Sequence, residues 1–426
     1  MAALATLALG GCGGSRHDST VTAATAVTGS TTGPPAAAPP PGLARLRAAL
    51  SRVLALAGPG TGAAVYDLQA HTTLFALRAG VMRPPASVEK VYTTVALLRK
   101  LGADARLRTS VLGDGRLGAG GVWHGDLYLR GGGDPTFGDG AFNRVYELGY
   151  GPTAAQLATQ LASDGIVRVT GQVIGDESLF DSERGGPASG GGPDIPDYGG
   201  QLSALTYDHG ASIGALGPAA FAARQLTRAL RLVHVRATAA PHTGIAPPGA
   251  RRLAAVSSPR LAVLLKLMDV PSDDLAAELL TKQLGKRLHN RGSITAGARV
   301  IAQVMASYGL HPKTLDGSGL DRSDRTSPLE VVTLLKDLWH TPVGDVLQDS
   351  LPVLGVSGTT RRIAAGTAAQ GRCVAKTGTL QDVTNLAGYC YSWGRQRLAF
   401  ALFIDGLDNS RALMLIGRMA AAIARY

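Results

Sequence analysis

Three short motifs, far apart in the chain, constrain its fold most strongly. Ser87-Val88-Glu89-Lys90 comes first, Ser272-Asp273-Asp274 second and Lys376-Thr377-Gly378 last. A serine with a lysine one helical turn away, a second serine, and a strand ending in Lys-Thr-Gly make up a serine acyl-transfer site that works without histidine. With only eight lysines in 426 residues, a chance Lys-Thr-Gly is expected roughly a tenth of a time. A site using all three must loop out the residues between Ser87 and Ser272, which are 272 − 87 = 185 positions apart. The catalytic domain must therefore be discontinuous, with inserted material folded elsewhere.

The patterning agrees. Leu43, Leu46, Leu50, Val53 and Leu54 recur at helical spacing, and residues 63–68 and 73–77 read as a hairpin. Pro84-Pro85-Ala86 leads into a helix with Val88, Val91, Val95 and Leu98 on one face. A β-rich stretch with some helix (154–161, 219–232) follows, including residues 183–202, which read as a long mobile loop. Helices dominate over 258–270, 274–288, 293–308 and 328–340. Strands near 371–379, 386–392 and 397–404 and a helix from Ser410 to Tyr426 close the chain. Strands at both ends predict one sheet built from both termini, flanked by helices, in an α/β (α+β) fold.

Each motif has a physical rationale and a plainer alternative. On one helix face, Ser87 Oγ and Lys90 Nζ come within hydrogen-bond reach, and a helix start offers unpaired N–H groups to an oxyanion. Lys90 must be neutral to act as a base, which burial and a nearby second cation such as Lys376 would favour. The plain alternative is a helix cap with a surface lysine. Ser272 could relay the proton to the leaving group; alternatively it is the N-cap of the helix that follows, with acids in the first turn. Strand residues 372–379 could pair with a substrate backbone, with Gly378 leaving room for it. The N–H groups of Thr379 and Ser87 would form an oxyanion hole. Lys376, Thr377 and Thr379 suit an anionic substrate end; the plainer alternative is an ordinary strand leading into a hairpin.

The hydrophobic content of 45% against 17% charged residues fits a folded, non-fibrous chain. The net charge of +11 suits an anionic setting. The arginines are scattered along the sequence, so nucleic acid is not expected as a partner and the charge reads as diffuse background. The nine histidines show no metal-ligand spacing, with His209 and His242 read as loop residues; neither a metal nor a cofactor is expected. Gly131-Gly132-Gly133-Asp134-Pro135 reads as a turn, and Asp316-Gly317-Ser318-Gly319-Leu320 as a tight turn before a helix, with a place lining the site as the alternative. Leu9-Gly10-Gly11-Cys12 resembles a lipobox, making Cys12 a candidate lipidation site. An ordinary signal segment is the alternative, and the absence of Lys or Arg in the first residues points to a start further upstream. Cys373 and Cys390 flank the hairpin centre, as a cross-strand disulfide or as two small buried residues.

Taken together, Pro85-Ala86-Ser87-Val88-Glu89-Lys90, Gly125-Asp126-Leu127-Tyr128-Leu129, Gly131-Gly132-Gly133-Asp134-Pro135, Ser203-Ala204-Leu205, Asp316-Gly317-Ser318-Gly319-Leu320, Leu351-Pro352-Val353 and Lys376-Thr377-Gly378-Thr379 resemble the low-molecular-mass class C penicillin-binding proteins. These are D-alanyl-D-alanine carboxypeptidases/endopeptidases. The resemblance implies a penicillin-binding transpeptidase-like domain over 44–107 and 251–426. An insertion of two nested domains would occupy 108–250, after a signal or lipobox segment (1–12) and a tether (13–43). The N-terminal segment with Cys12 adds the expectation of an exported protein of the cell envelope, attached to the membrane only through an N-terminal lipid. Peptidoglycan peptides ending in D-Ala-D-Ala would acylate Ser87, and β-lactams would inhibit covalently. Where the family has Ser-x-Asn, this chain has Asp274. A carboxylate there would favour the ammonium form of Lys90 and oppose its base role unless Asp274 is itself protonated. Reduced or pH-shifted activity is therefore expected. A catalytically weak wall-binding scaffold, or a β-lactamase or esterase on the same fold, are the alternatives.

Overall fold

The two ends of the chain build one sheet, as their apolar strands require. The computed structural model describes residues 41–211 and 216–426; the segment bearing Cys12 and the tether up to residue 40 lie outside the described residues. Helix α1 (Pro41–Ala57) leads into the hairpin β1 (Thr61–Asp67) and β2 (Thr72–Leu77), followed by α2 (Glu89–Leu101). With the three C-terminal strands β8 (Cys373–Leu380), β9 (Val383–Tyr391) and β10 (Arg397–Asp405), the first sheet has the order β2-β1-β10-β9-β8.

The insertion follows. Strands β3 (Arg108–Leu117) and β4 (Val122–Arg130) precede helices α3 (Gly140–Tyr146) and α4 (Ala154–Ser163). Next come β5 (Arg168–Asp176), the short α5 (Ile195–Tyr198), α6 (Pro218–Leu232), β6 (Arg236–Thr243) and β7 (Arg251–Ser257). These strands form a second sheet, β6-β5-β4-β3-β7, with α4 and α6 packed over one core. Because β7 pairs with β3, this sheet runs seven residues past the expected limit at 250. His242 lies in β6 rather than in a loop. Residues 183–202 are anchored rather than loose. Arg184 forms an ion pair with Glu177, Lys282 binds Asp181 and the Glu183 carbonyl, and Tyr198 and Leu202 are buried against Leu275 and Leu279.

The chain then returns to the first domain as α7 (Leu261–Asp269), α8 (Asp274–His289), α9 (Ile294–Ala306), α10 (Pro328–Leu338) and α11 (Pro342–Ser350). It ends with β8 (Cys373–Leu380), β9 (Val383–Tyr391), β10 (Arg397–Asp405) and α12 (Asn409–Arg425). Both faces of the first sheet are buried, which is why β10 reads as an unbroken apolar run. Ala63, Val65, Phe400 and Leu402 face α1 and α12. Ala64, Ala387, Ala401 and Phe403 face the layer containing α2 and α7 to α10. This period-two split places α2, and with it Lys90, opposite α1 and α12.

Cys373 stands directly across from Cys390 in the β8–β9 register, and the two are disulfide-bonded across a sequence separation of 17. Closing a loop of that size stabilises a fold by about 3 kcal/mol through the unfolded chain. The Cys373→Ser/Cys390→Ser variant is expected to lose about that much in non-reducing urea titrations; an unchanged midpoint would mean that the bond constrains nothing.

Candidate active site

Ser87 sits in a 3₁₀ turn (Ala86–Val88) that runs into α2. The turn is held in an unusual shape. Ala86 has φ +47, a left-handed conformation costly for a residue with a Cβ. Asn385 Nδ2 donates to both the Pro84 and Pro85 carbonyls at 2.9 Å. A Cβ on Gly319 would lie 2.0 Å from the Ala86 carbonyl oxygen, and one on Gly378 would lie 2.4 Å from that of Pro85. Gly378 is thus needed first for β8 to approach the nucleophile's own turn, not only for substrate.

Lys90 is fully buried. Its Nζ lies 3.0 Å from Ser87 Oγ, 2.5 Å from Asp274 Oδ1 and 2.8 Å from the Ser318 carbonyl oxygen. An ammonium would spend its three N–H groups on these three acceptors. A neutral amine would donate to Asp274 and Ser318 and keep its lone pair for the Ser87 proton. The turn 316–320 therefore lines the site, the lesser of the two readings that its sequence allowed. Buried Glu278 accepts the N–H groups of Gly317 and Ser318 and so aims the Ser318 carbonyl; burial first, and then Asp316, push its carboxyl up to about 8.

Ser272 is not the helix cap. Asp273 caps α8, accepting from the Ala276 N–H, and Ser272 takes φ +67 just before it. That left-handed step turns Ser272 Oγ toward Lys376, whose Nζ donates to it at 2.7 Å. Lys376 is also fully buried. Its pKa falls to about 7, chiefly from burial and then from Lys90, against the opposite pull of Asp269 and Asp274. The depressed amine therefore lies at the Ser272 pair. Asp269 lies buried nearby, hydrogen-bonded to Thr94 and Ser350, and burial lifts it to about 6 despite Lys376.

The Ser272 segment is clamped from the insertion. His209 Nε2 lies 2.8 Å from Asp273 Oδ2. Burial disfavours the imidazolium, but Asp273, Glu147 and Asp274 outweigh it and raise the His209 pKa. Burial likewise opposes Asp273 ionisation, yet His209 holds its carboxyl below the ordinary value. The histidine contribution is complete below its unfolded pKa and lost as pH rises through the raised one. The aspartate contribution is present above its unfolded pKa and lost as pH falls through the lowered one. The pair thus holds between those limits. His209→Asn is expected to slow β-lactam acylation about tenfold by loosening Ser272 and to remove the alkaline loss of rate that this clamp causes. Full wild-type rates across pH would disprove the clamp.

β8 is the outer strand of its sheet. The Ala375 N–H donates outward to the Pro352 carbonyl, and the Cys373 carbonyl accepts outward from Leu354. Period two then puts the backbone groups of Thr377 and Thr379 on the same side, past the point where residues 352–354 cover the edge. Thr379 is exposed, and the Thr377 hydroxyl lies 2.7 Å from that of Thr359. Ser87, Lys90, Ser272, Asp274, Lys376, Thr377, Gly378 and Thr379 thus converge from three segments. Sequence reasoning missed Asp269, Asn385 and His209. Only Asp269 left a trace, as an acid ending the apolar run Leu261–Met268.

Two Ser–Lys pairs, each with a buried lysine and a partly exposed serine, beside an open strand edge define a serine acyl-transfer enzyme of the penicillin-recognising kind. The chain belongs to the D-Ala-D-Ala carboxypeptidase 3 (S13) family, which it matches over residues 43–218 and 198–426. It is 27% identical to a D-alanyl-D-alanine carboxypeptidase of an Actinomadura species, over 90% of this chain and 85% of that protein. It is 32% identical to carboxypeptidase DacB of Mycolicibacterium smegmatis, over 82% and 77%. In fold it is similar to the crystal structure of penicillin binding protein 4 (dacB) from Haemophilus influenzae. There the TM-score is 0.72 at 19% identity, covering 88% of this chain and 99% of the other.

Proposed function

We propose that this chain is a serine-type D-Ala-D-Ala carboxypeptidase with endopeptidase capacity, acting on peptidoglycan stem peptides through an acyl-enzyme on Ser87. The observation that carries this is the convergence of Ser87–Lys90 and Ser272–Lys376 from segments 185 and 104 residues apart. A substrate strand laid along the free edge of β8 would place its D-Ala carbonyl over Ser87. Ser87 Oγ bonds to that carbon, and the N–H groups of Ser87 and Thr379 hold the oxyanion. The C–N bond to the terminal D-alanine then breaks, and the Ser87 proton reaches the leaving nitrogen through Lys90 or the Ser272–Lys376 pair. Water next cleaves the ester, releasing the shortened peptide and restoring Ser87. Lys376, Thr377 and Thr379 would bind the terminal carboxylate, and a β-lactam would follow the first half of this course and stall.

The family's work on the cell wall supports a place in the envelope. Among the described residues no helix is long and apolar enough to cross a membrane, and a lipid on Cys12 would supply the attachment. Release of free D-alanine from a stem pentapeptide analogue tests the assignment. Turnover by the wild type that Ser87→Ala abolishes is the expected result. Absence of release despite stable penicillin labelling would instead favour the wall-binding scaffold, which the Lys90–Asp274 ion pair makes the specific alternative.

A further inference from the structure

The net charge of the chain is not diffuse. Residues 41–57, 361–372, 391–397 and 409–425 contain eleven arginines and no Asp or Glu. The other 42 − 11 = 31 basic residues equal the 31 acidic ones, so these four segments account for the whole +11. They lie in one layer: α1, α12, the β9–β10 turn and the segment whose Ile363, Ala364 and Ala369 share their core. Within it, two shallow hollows of about 420 and 500 Å³ meet at Arg425. Arg362 and Arg418 line one, and Arg45 and Arg52 the other. All five arginines are exposed, and among the described residues none takes part in an ion pair. Trp393 (57% exposed) and Met414 (50%) project among them.

We propose that this face docks on an anionic phospholipid surface. Charge complementarity is the first ground, since arginines near an anionic leaflet each favour binding and none here is neutralised by a neighbouring acid. The exposed tryptophan is the second: an indole among cations suits the headgroup boundary, where apolar and polar groups meet. The third is position. The first 40 residues, with Cys12, join this layer at Pro41. Ser87 and Lys90 lie in the layer on the opposite face of the sheet, so docking leaves the cleft turned toward the wall. The face does not depend on the peptidase assignment.

The test uses the full chain carrying Cys12→Ala, so that no lipid contributes, sedimented with vesicles of phosphatidylglycerol and phosphatidylcholine (1:1) or of phosphatidylcholine alone. Binding to the first only, abolished near 0.5 M salt as screening shortens, is expected. Arg45→Gln, Arg418→Gln and Arg425→Gln should each weaken partition roughly fivefold, and together roughly a hundredfold, with penicillin labelling unchanged as evidence of folding. Equal partition of the triple variant and its parent would overturn the proposal. So would capture by purified wall polymer without any binding to the anionic vesicles.

Discussion

Lys376→Met is expected to slow β-lactam acylation by about 10²–10⁴, the largest loss after removal of the nucleophile itself. The amine stands 2.7 Å from Ser272 Oγ with its pKa drawn down to about 7 by burial and by Lys90. Below that pH it is an ammonium without a lone pair for the Ser272 proton; above it, an amine that can relay one. The wild-type rate should therefore rise through about pH 7, before it falls at higher pH as the His209–Asp273 clamp is lost. Lys376→Arg separates two roles. A guanidinium keeps the charge but does not deprotonate, so it restores activity if the residue only holds a carboxylate. It fails as badly as Met if proton transfer is the task, which is the result expected here.

Asp274→Asn is expected to act in the opposite direction, raising acylation at neutral pH by about tenfold, equivalent to about 1.4 kcal/mol of barrier. The carboxylate lies 2.5 Å from Lys90 Nζ and is 17% exposed. An amide in its place still accepts from Lys90 through its oxygen, withdraws the negative charge beside the nucleophile's partner and offers an N–H to substrate. Losing the charge also leaves buried Lys90 with a weaker partner, at some cost in stability, so rates are to be compared on samples shown folded by thermal melting. A lower acylation rate in folded Asp274→Asn would show that the carboxylate assists the reaction and that the electrostatic account is mistaken.

How much of this was legible in the sequence follows from what each feature depends on. Local chemistry was readable. Ser87 and Lys90 share a turn whatever surrounds them, and the hairpin around residues 381 and 382 set Cys373 opposite Cys390. The sheet drawn from both termini followed from apolar strands at either end. Features made by packing between distant segments were not readable. His209 matters only because the insertion folds back onto Asp273. Asn385 matters only because β9 passes beneath Pro84 and Pro85. For Ser272 the sequence left proton relay and helix cap both open, because Ser and Asp both cap helices well; the cap fell to Asp273 once Ser272 was turned toward Lys376. The arginines looked scattered because Arg45 and Arg425 lie at opposite ends of the sequence and meet only where α1 packs on α12.

Every step of the chemistry above runs through Ser87 as the acylated nucleophile. Intact mass spectrometry of the wild type and of Ser87→Ala after incubation with benzylpenicillin tests it most directly. The wild type is expected to gain the mass of one penicilloyl group and Ser87→Ala none. A wild type that stays unmodified, or an alanine variant that is modified equally, would contradict it.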